Sequence, residues 1–299
     1  MKRFQSSFTT LSLGIGVVLV WSTCFVTIKL TSPGNGPLTF AASRALLAGL
    51  VLLLLSTVRG CVKPPPNTWP WLALSALTGT SLALWGMFGS VPIEGSVIAG
   101  ILGNSQAILV APLAVIFLKE GQSVWGWAGL GIGFLGLMFV ILGSSDGTGT
   151  LGGSLIALLA SLGLAISSLV AKRLSGQMSA LTLTTWQFLL GSVPLIVAAL
   201  VFENPYHYKP TGSALWGLIY LAILSSAGGS IIWNWLLKRI DVTPLTALTM
   251  LGSPLSLLLS LLIFNERISV IQWAGITIVL MSIGFFQWSE RHEKPYRVR

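Results

Sequence analysis

Two stretches of the chain, KEGQSVWGWAG at Lys119–Gly129 and NERISVIQWAG at Asn265–Gly275, decide the fold because they read alike. Six residue types (Glu, Ser, Val, Trp, Ala and Gly) coincide between them at a constant offset of 146 positions. A weaker match relates Arg44–Ala48 to Gln187–Gly191 at an offset of 143, and loop insertions explain the drift. Similar composition alone accounts poorly for a match that crosses a junction between two apolar segments. We therefore interpret the chain as two copies of one unit.

The composition indicates that lipid surrounds most of the molecular surface. Of the 299 residues, 54% are hydrophobic and 8% are charged, whereas roughly a quarter of the residues of a soluble domain carry charge. So few charges cannot cover a soluble protein of this size. The chain is predicted to be a multi-pass membrane protein. We expect it in the bacterial inner membrane.

Ten apolar runs are each long enough to cross the hydrocarbon core, about 30 Å thick, as a helix. They fall at about 11–30, 38–58, 69–88, 95–117, 125–143, 151–171, 181–202, 213–236, 244–264 and 270–288. Backbone groups without partners cannot face lipid. The sequence therefore predicts an all-α polytopic membrane protein with ten transmembrane helices.

Lysine and arginine predict the orientation, because they concentrate on the cytoplasmic side of a membrane. With the N-terminus inside, thirteen of the 17 basic residues fall in cytoplasmic segments, and only Lys209 and Arg267 fall in outer loops. Both termini are therefore expected in the cytoplasm.

Each half contains five predicted helices. Because five is an odd number, the second half enters the membrane from the opposite side and is inverted relative to the first. The predicted units are two inverted five-helix repeats, 1–145 and 146–290, followed by a basic cytoplasmic tail at 291–299. Inverted repeats of this kind build alternating-access carriers.

Several of these stretches resemble a known family of membrane proteins. Trp21–Lys29 and Arg44 in the first half, and Pro254, Phe264–Ser269 and Trp273–Gly275 in the second, are similar to the EamA-type members of the drug/metabolite transporter superfamily. The resemblance covers essentially the whole chain. It implies a secondary transporter rather than an enzyme, commonly an exporter of amino acids or related metabolites, with a cavity between the two units and no cofactor.

Arg44 is the strongest candidate for a substrate-binding residue. It lies about seven residues into the second predicted helix, and an arginine at that depth is costly unless it faces a polar cavity or a partner. Its planar fork suits a substrate carboxylate. Two structural roles stay open, a tie to helix-end carbonyls and an arginine that reaches the outer interface.

Further polar and aromatic side chains within the spans are candidates for the same pathway. Amides in apolar surroundings either line a pathway or bridge neighbouring helices, and aromatic rings either pack against neighbours or form an apolar wall for a substrate. The candidate substrate-binding amides are Asn104, Gln106, Gln187 and Asn234, and the candidate wall residues are Trp21, Phe25, Trp85 and Trp186.

Acidic residues lie at helix ends, in loops or in the tail. A proton relay usually needs an acid within the membrane, and Glu94 is the nearest candidate for coupling. We expect facilitated diffusion down a gradient, or coupling through a site that the sequence does not reveal.

Other function classes are disfavoured by what the sequence lacks. Gly131–Gly136 spells a dinucleotide fingerprint, but no strand precedes it and it lies within a membrane span. Gly129 and Gly133 are interpreted instead as a GxxxG surface for close helix packing. A Walker motif, a basic face for nucleic acid and a metal-ligating cluster are all missing, which disfavours ATP, nucleic acid or a metal as partners. The alternatives kept open are an intramembrane enzyme acting on lipid-linked substrates and a non-transporting membrane subunit. The predicted partners are the lipid bilayer and an amino acid or similar metabolite.

Overall fold

Helices build all the secondary structure of the described residues. The computed structural model describes residues 2–31, 36–119, 123–143, 150–203, 211–264 and 268–293, and these ranges contain no strand. The α-helices are α1 Lys2–Ser22, α2 Cys24–Thr31, α3 Pro37–Val58, α4 Trp69–Ala76, α5 Ala83–Gly103, α6 Gln106–Leu118, α7 Val124–Gly143, α8 Leu151–Leu174, α9 Ala180–Phe202, α10 Gly212–Ile219, α11 Gly229–Leu237, α12 Val242–Ala247, α13 Gly252–Phe264 and α14 Val270–Glu293. The prediction of an all-helical chain is confirmed. Glu120 and Glu266 of the matched stretches, and residues 294–299 of the tail, lie outside the described residues.

Seven helical segments of the described chain are long and apolar enough to cross a membrane. One of them, Pro66–Leu118, has 53 residues, or about 80 Å at 1.5 Å per residue, more than twice the thickness of the hydrocarbon core. Leu255–Phe264 and Val270–Ser282 are shorter apolar helices. The chain is thus a multi-pass membrane protein, and the count of ten spans stays a prediction.

Two breaks interrupt the long apolar segment. Gly95 has φ 76° and ψ 169° within α5, a backbone conformation that favours glycine because other residues clash there through Cβ. A second break at Asn104 and Ser105 separates α5 from α6. The single helix predicted over about 95–117 is therefore wrong in detail, and the break places Asn104 at a helix end rather than in a helix.

The internal repeat is visible in the helices themselves. Helices α6 (Gln106–Leu118) and α13 (Gly252–Phe264) have 13 residues each. They begin 146 positions apart, which is the offset of the sequence match, and α7 and α14 begin 146 positions apart as well. The third long segment of each half contains a π-helix, at Leu77–Leu82 and Tyr220–Gly228.

The equivalent helices α3 and α9 run antiparallel, as their end contacts show. At one end, Glu203 after α9 accepts hydrogen bonds from the backbone N–H groups of Leu38 and Thr39 in α3, each at 2.8 Å. At the other end, Thr182 of α9 donates to the carbonyl of Cys61 after α3 at 2.7 Å. Each helix end therefore meets the opposite end of its counterpart.

Helices α7 and α14 form a second antiparallel pair across the two halves. Ser123 lies 3.2 Å from Ser289, hydroxyl to hydroxyl, and Ser269 donates to the carbonyl of Gly143 at 3.4 Å. Between these ends, a Cβ added to Gly136 would lie 2.8 Å from the backbone nitrogen of Val279. The glycines of α7 thus bring two helix backbones into direct contact, as small residues do in membrane helix pairs.

Candidate functional site

A cavity of about 630 Å³, counting its open mouth, lies between the two halves of the chain. Its walls combine one arginine, a few small polar groups and many apolar side chains. The lining residues are Trp21, Cys24, Phe25, Arg44, Gly79, Ala83, Leu84, Met87, Gly103, Asn104, Gln106, Leu164, Phe188, Ser225, Ser226 and Ser230.

Arg44 is buried at the wall of this cavity, with 4% of its surface exposed. Its Nε donates to the Ser226 hydroxyl at 2.8 Å, and its Nη2 donates to the Ser225 hydroxyl at 3.2 Å and to Cys24 Sγ at 3.9 Å. The Phe88 ring lies beneath the guanidinium, 5.9 Å from its carbon to the ring centroid. Among the described residues, the partners of Arg44 are therefore side-chain groups rather than helix-end carbonyls, and the guanidinium is buried rather than exposed at a surface.

The guanidinium lacks both a counter-ion and one hydrogen-bond partner within the part of the chain that the structure describes. Its Nη1 has no acceptor there, and none of the groups that bond the other two nitrogens is a carboxylate. A buried charge left without compensation is costly. The arrangement is therefore suited to an anion that enters the cavity.

Irregular backbone positions the partners of Arg44. The π-helix at Tyr220–Gly228 presents Ser225 and Ser226 to Arg44 and leaves the Ser225 carbonyl to accept from Trp21 Nε1 at 3.0 Å. Opposite it, the helix breaks at Thr23 between α1 and α2, and the Thr23 hydroxyl lies 2.7 Å from that of Tyr220. Such π-turns are frequent at functional sites.

The second half repeats this cluster without the charge. Ser167 and Gln187 lie 143 positions after Cys24 and Arg44, and Gln187 Nε2 donates to the Ser167 hydroxyl at 3.3 Å. A Cβ on Gly79, in the first π-helix, would lie 2.7 Å from Gln187 Nε2. Gln187 is buried, and its Oε1 has no partner among the described residues. Gln187 is not among the described residues that line the cavity at Arg44.

Four further predicted residues do line the cavity: Trp21, Phe25, Asn104 and Gln106. The Phe25 ring packs against Gly100 and Gly103 of α5, where a larger side chain would collide with it. Asn104 Nδ2 is buried without an acceptor among the described residues. The helix break after Gly103 therefore places the Asn104 amide in the wall of the cavity that Arg44 also lines.

Three other predicted residues lie away from the wall. Trp85 packs against the buried cluster around Phe88. Trp186 Nε1 donates to the carbonyl of Val62 at 2.7 Å, and Asn234 Nδ2 donates to the Thr184 hydroxyl at 2.9 Å, which joins α11 to α9. The four-ring wall is thus not formed by these side chains.

Sequence reasoning missed the residues that complete the wall. Cys24, Ser225 and Ser226 contact Arg44, and Phe188 adds a third ring beside those of Trp21 and Phe25. Two adjacent serines in an apolar run were the available signal. The π-helix that orients Ser225 and Ser226 towards Arg44 has no recognisable sequence pattern.

Glu94 is buried beside the N-terminus of α8 rather than at the cavity. Its Oε1 accepts from the backbone nitrogen of Thr150 at 2.7 Å, and its Oε2 has no partner among the described residues. A carboxylate at this place compensates the helix dipole. Glu203 does the same for α3, so both acids bridge the two halves as helix caps. Within the described residues, no three His, Cys, Asp or Glu side chains cluster as metal ligands would.

Comparisons with known proteins agree with the repeat and the fold. The EamA-like transporter family matches residues 8–142 and again 151–287. An uncharacterized transporter of Synechocystis sp. is 28% identical, over 93% of this chain and 89% of its own. A probable amino-acid metabolite efflux pump of Salmonella typhimurium is 23% identical, over 96% and 97%. A protein of known crystal structure, 19% identical, superposes with a TM-score of 0.73 over 95% of this chain and 99% of its own, so it shares the fold. This chain therefore belongs to the EamA-like transporter family, and it is a multi-pass membrane transporter of small-molecule metabolites rather than an enzyme.

Proposed function

We propose that this chain is a secondary transporter that exports amino acids or related carboxylate metabolites across the bacterial inner membrane. One observation carries the proposal. Arg44 is buried at the wall of the cavity between the halves, all its described hydrogen-bond partners are hydroxyl or thiol groups, and one of its nitrogens has no acceptor. A substrate carboxylate supplies what this guanidinium lacks.

The proposed mechanism is alternating access by two inverted units, 1–145 and 146–290, that together span the membrane ten times. Support comes from the antiparallel contacts of α3 with α9 and of α7 with α14. The distribution of lysine and arginine supports cytoplasmic termini and a cytoplasmic tail at 291–299. In such carriers the substrate site lies between the repeats near the midplane, and the cavity lies between these two halves.

The substrate class is supported by the chemistry of the walls and by a relative. Around Arg44, the rings of Trp21, Phe25 and Phe188 offer an apolar surface of the kind that small-molecule sites use. The relative from Salmonella typhimurium is described as a probable amino-acid metabolite efflux pump. Export rather than import rests on this similarity.

The proposal predicts exchange without ATP. Purified protein in proteoliposomes loaded with an unlabelled carboxylate metabolite should accumulate the labelled compound from outside, because a carrier exchanges substrate across its cavity. The measurement is counterflow of radiolabelled carboxylates that differ in side chain. If correctly folded protein exchanged none of them, the proposed carboxylate substrate class would be refuted.

A second prediction concerns coupling to protons. Glu94→Gln should leave the response to an imposed pH gradient unchanged, because Glu94 caps α8 and lies off the cavity. Loss of its charged hydrogen bond should lower the unfolding free energy by about 1–2 kcal/mol. The measurements are flux under a pH gradient and thermal unfolding in detergent.

Glu203→Gln is the control, because Glu203 also caps a helix, α3, where it accepts from the backbone N–H groups of Leu38 and Thr39 and from the Thr39 hydroxyl. The two variants should respond alike to the pH gradient, and Glu203→Gln should lose more unfolding free energy because it weakens more hydrogen bonds. Strong pH-driven accumulation that disappears in Glu94→Gln but persists in Glu203→Gln would make Glu94 the coupling residue and refute facilitated diffusion.

A further inference from the structure

We propose that the cavity selects carboxylates that lack a free ammonium group, namely 2-oxo acids, 2-hydroxy acids or N-acylated amino acids with an apolar body, over zwitterionic amino acids. This inference rests on the proposed function and narrows its substrate class. It follows from the distribution of charge and of hydrogen-bonding groups around the cavity.

The cavity wall is positively charged and has no described compensating acid. Arg44 is the one charged residue that lines it within the described part of the chain. A carboxylate entering the cavity neutralises that charge. A zwitterion neutralises it equally well but brings a new positive charge into the same low-dielectric space, where an ammonium group needs an anionic or strongly polar partner.

The acids whose side chains the structure describes are all engaged elsewhere. Glu94 accepts from Thr150, and Glu203 accepts from Leu38 and Thr39. Asp241 lies 3.7 Å from Lys172 Nζ in an ion pair. None of the three lines the cavity, so they offer no counter-charge to a bound ammonium group.

The oxygen acceptors nearest to Arg44 are poor partners for a cation. The hydroxyls of Ser225 and Ser226 accept from the guanidinium, and the Ser225 carbonyl accepts from Trp21 Nε1. An ammonium group at these oxygens would sit beside a like charge, which opposes binding.

The unpaired amide of Asn104 points to an acceptor on the substrate instead. Its Nδ2 is a buried donor without a partner among the described residues, and it shares the cavity with Arg44. This donor is available for a hydrogen bond to a bound substrate. The oxygen of an oxo, hydroxy or acyl group accepts its hydrogen bond, whereas an ammonium group, which only donates, does not.

The test compares compounds that share one phenyl body and differ either in the group on the second carbon or, in one case, by an amide in place of the carboxylate. Phenylpyruvate, phenyllactate and N-acetylphenylalanine are anions, phenylalanine is a zwitterion and phenylalaninamide is a cation. Counterflow in proteoliposomes measures the exchange of each compound. The anions should be exchanged with half-saturation at concentrations at least tenfold lower than phenylalanine, and phenylalaninamide should not be exchanged.

The outcomes separate this inference from the proposed function. If phenylalanine were exchanged as well as the anions or better, the charge selection would be refuted while carboxylate transport stood. If the protein exchanged no carboxylate at all, both would fall. If phenylalaninamide were exchanged as well as the anions, Arg44 would not recognise a carboxylate. That outcome would refute both the charge selection and the proposed carboxylate transport.

A variant of Asn104 adds an independent arm. Asn104→Asp supplies the missing counter-charge at the cavity and should shift the preference towards phenylalanine by at least tenfold. Asn104→Ala removes the amide without adding charge. It should weaken the exchange of phenylpyruvate without increasing the exchange of phenylalanine. If Asn104→Asp folded and left the preference unchanged, the proposed charge selection would be wrong. If Asn104→Asp did not fold, the wild-type series would decide alone.

Discussion

Replacing Arg44 with glutamine should reduce the exchange of carboxylate substrates about a hundredfold, equivalent to about 2.8 kcal/mol of lost substrate binding. Arg44 Nη1 has no acceptor among the described residues, and Nε and Nη2 are held by Ser226 and Ser225, so the guanidinium is oriented before substrate arrives. Glutamine keeps a polar group at this depth but removes the charge. The loss should appear for anionic substrates in counterflow, while the amount of folded protein recovered stays similar.

Arg173→Gln is the matched control for the loss of a charge. Its guanidinium lies over the Trp71 ring, 4.1 Å from the centroid, in the last turn of α8 and away from the cavity. This variant should keep wild-type exchange. Arg44→Lys should recover part of the activity, because lysine restores the charge but not the two-pronged geometry of the guanidinium. Full exchange of carboxylates by folded Arg44→Gln would refute a carboxylate site at this residue.

Replacing Gly136 with valine should destabilise the protein by about 3 kcal/mol, at the upper end of the cost of overpacking. A Cβ at this position would lie 2.8 Å from the Val279 nitrogen and 2.9 Å from the Gly275 carbonyl oxygen. Both are backbone atoms of α14 and cannot rotate away, so α7 and α14 must separate. The midpoint of thermal unfolding in detergent measures the effect.

Gly131→Val in the same helix provides the control. A Cβ at Gly131 has no atom within 4 Å, so the same substitution should change the unfolding free energy by less than about 0.5 kcal/mol. If both variants unfolded at the wild-type midpoint, the close packing of α7 against α14 would not hold the two halves together.

Much of the fold could be predicted because it depends on local composition. A membrane helix satisfies its own backbone hydrogen bonds within one segment, so apolar length alone predicts its position, and the all-helical, two-copy chain is confirmed. The equal offsets of α6 from α13 and of α7 from α14 reproduce the offset of the sequence match. The break near Gly95 agrees with the gap between the apolar runs predicted at 69–88 and 95–117. The break at Asn104 could not be predicted, since it falls inside a continuous apolar run.

The candidate site was predictable only for residues whose burial has a high cost. Arg44 stands out because a membrane-embedded arginine needs a polar environment. Trp186 and Asn234 satisfy their polar atoms with Val62 and Thr184, so they lie off the cavity. Polar side chains of this kind find a partner wherever packing brings one, and the sequence does not reveal which.

By itself, the sequence determined that this chain is an α-helical membrane protein built from two related halves, because hydropathy and repetition are properties of the chain read in order. Tertiary structure alone decided that Arg44 meets Ser225 and Ser226 of the other half, across 182 positions for Ser226, and that Asn104 shares its cavity. Contacts between distant segments depend on how helices pack. That packing depends on π-turns, helix breaks and small residues where helices cross. Each of these changes the direction or spacing of a helix, so their combined result can be seen only in the folded structure.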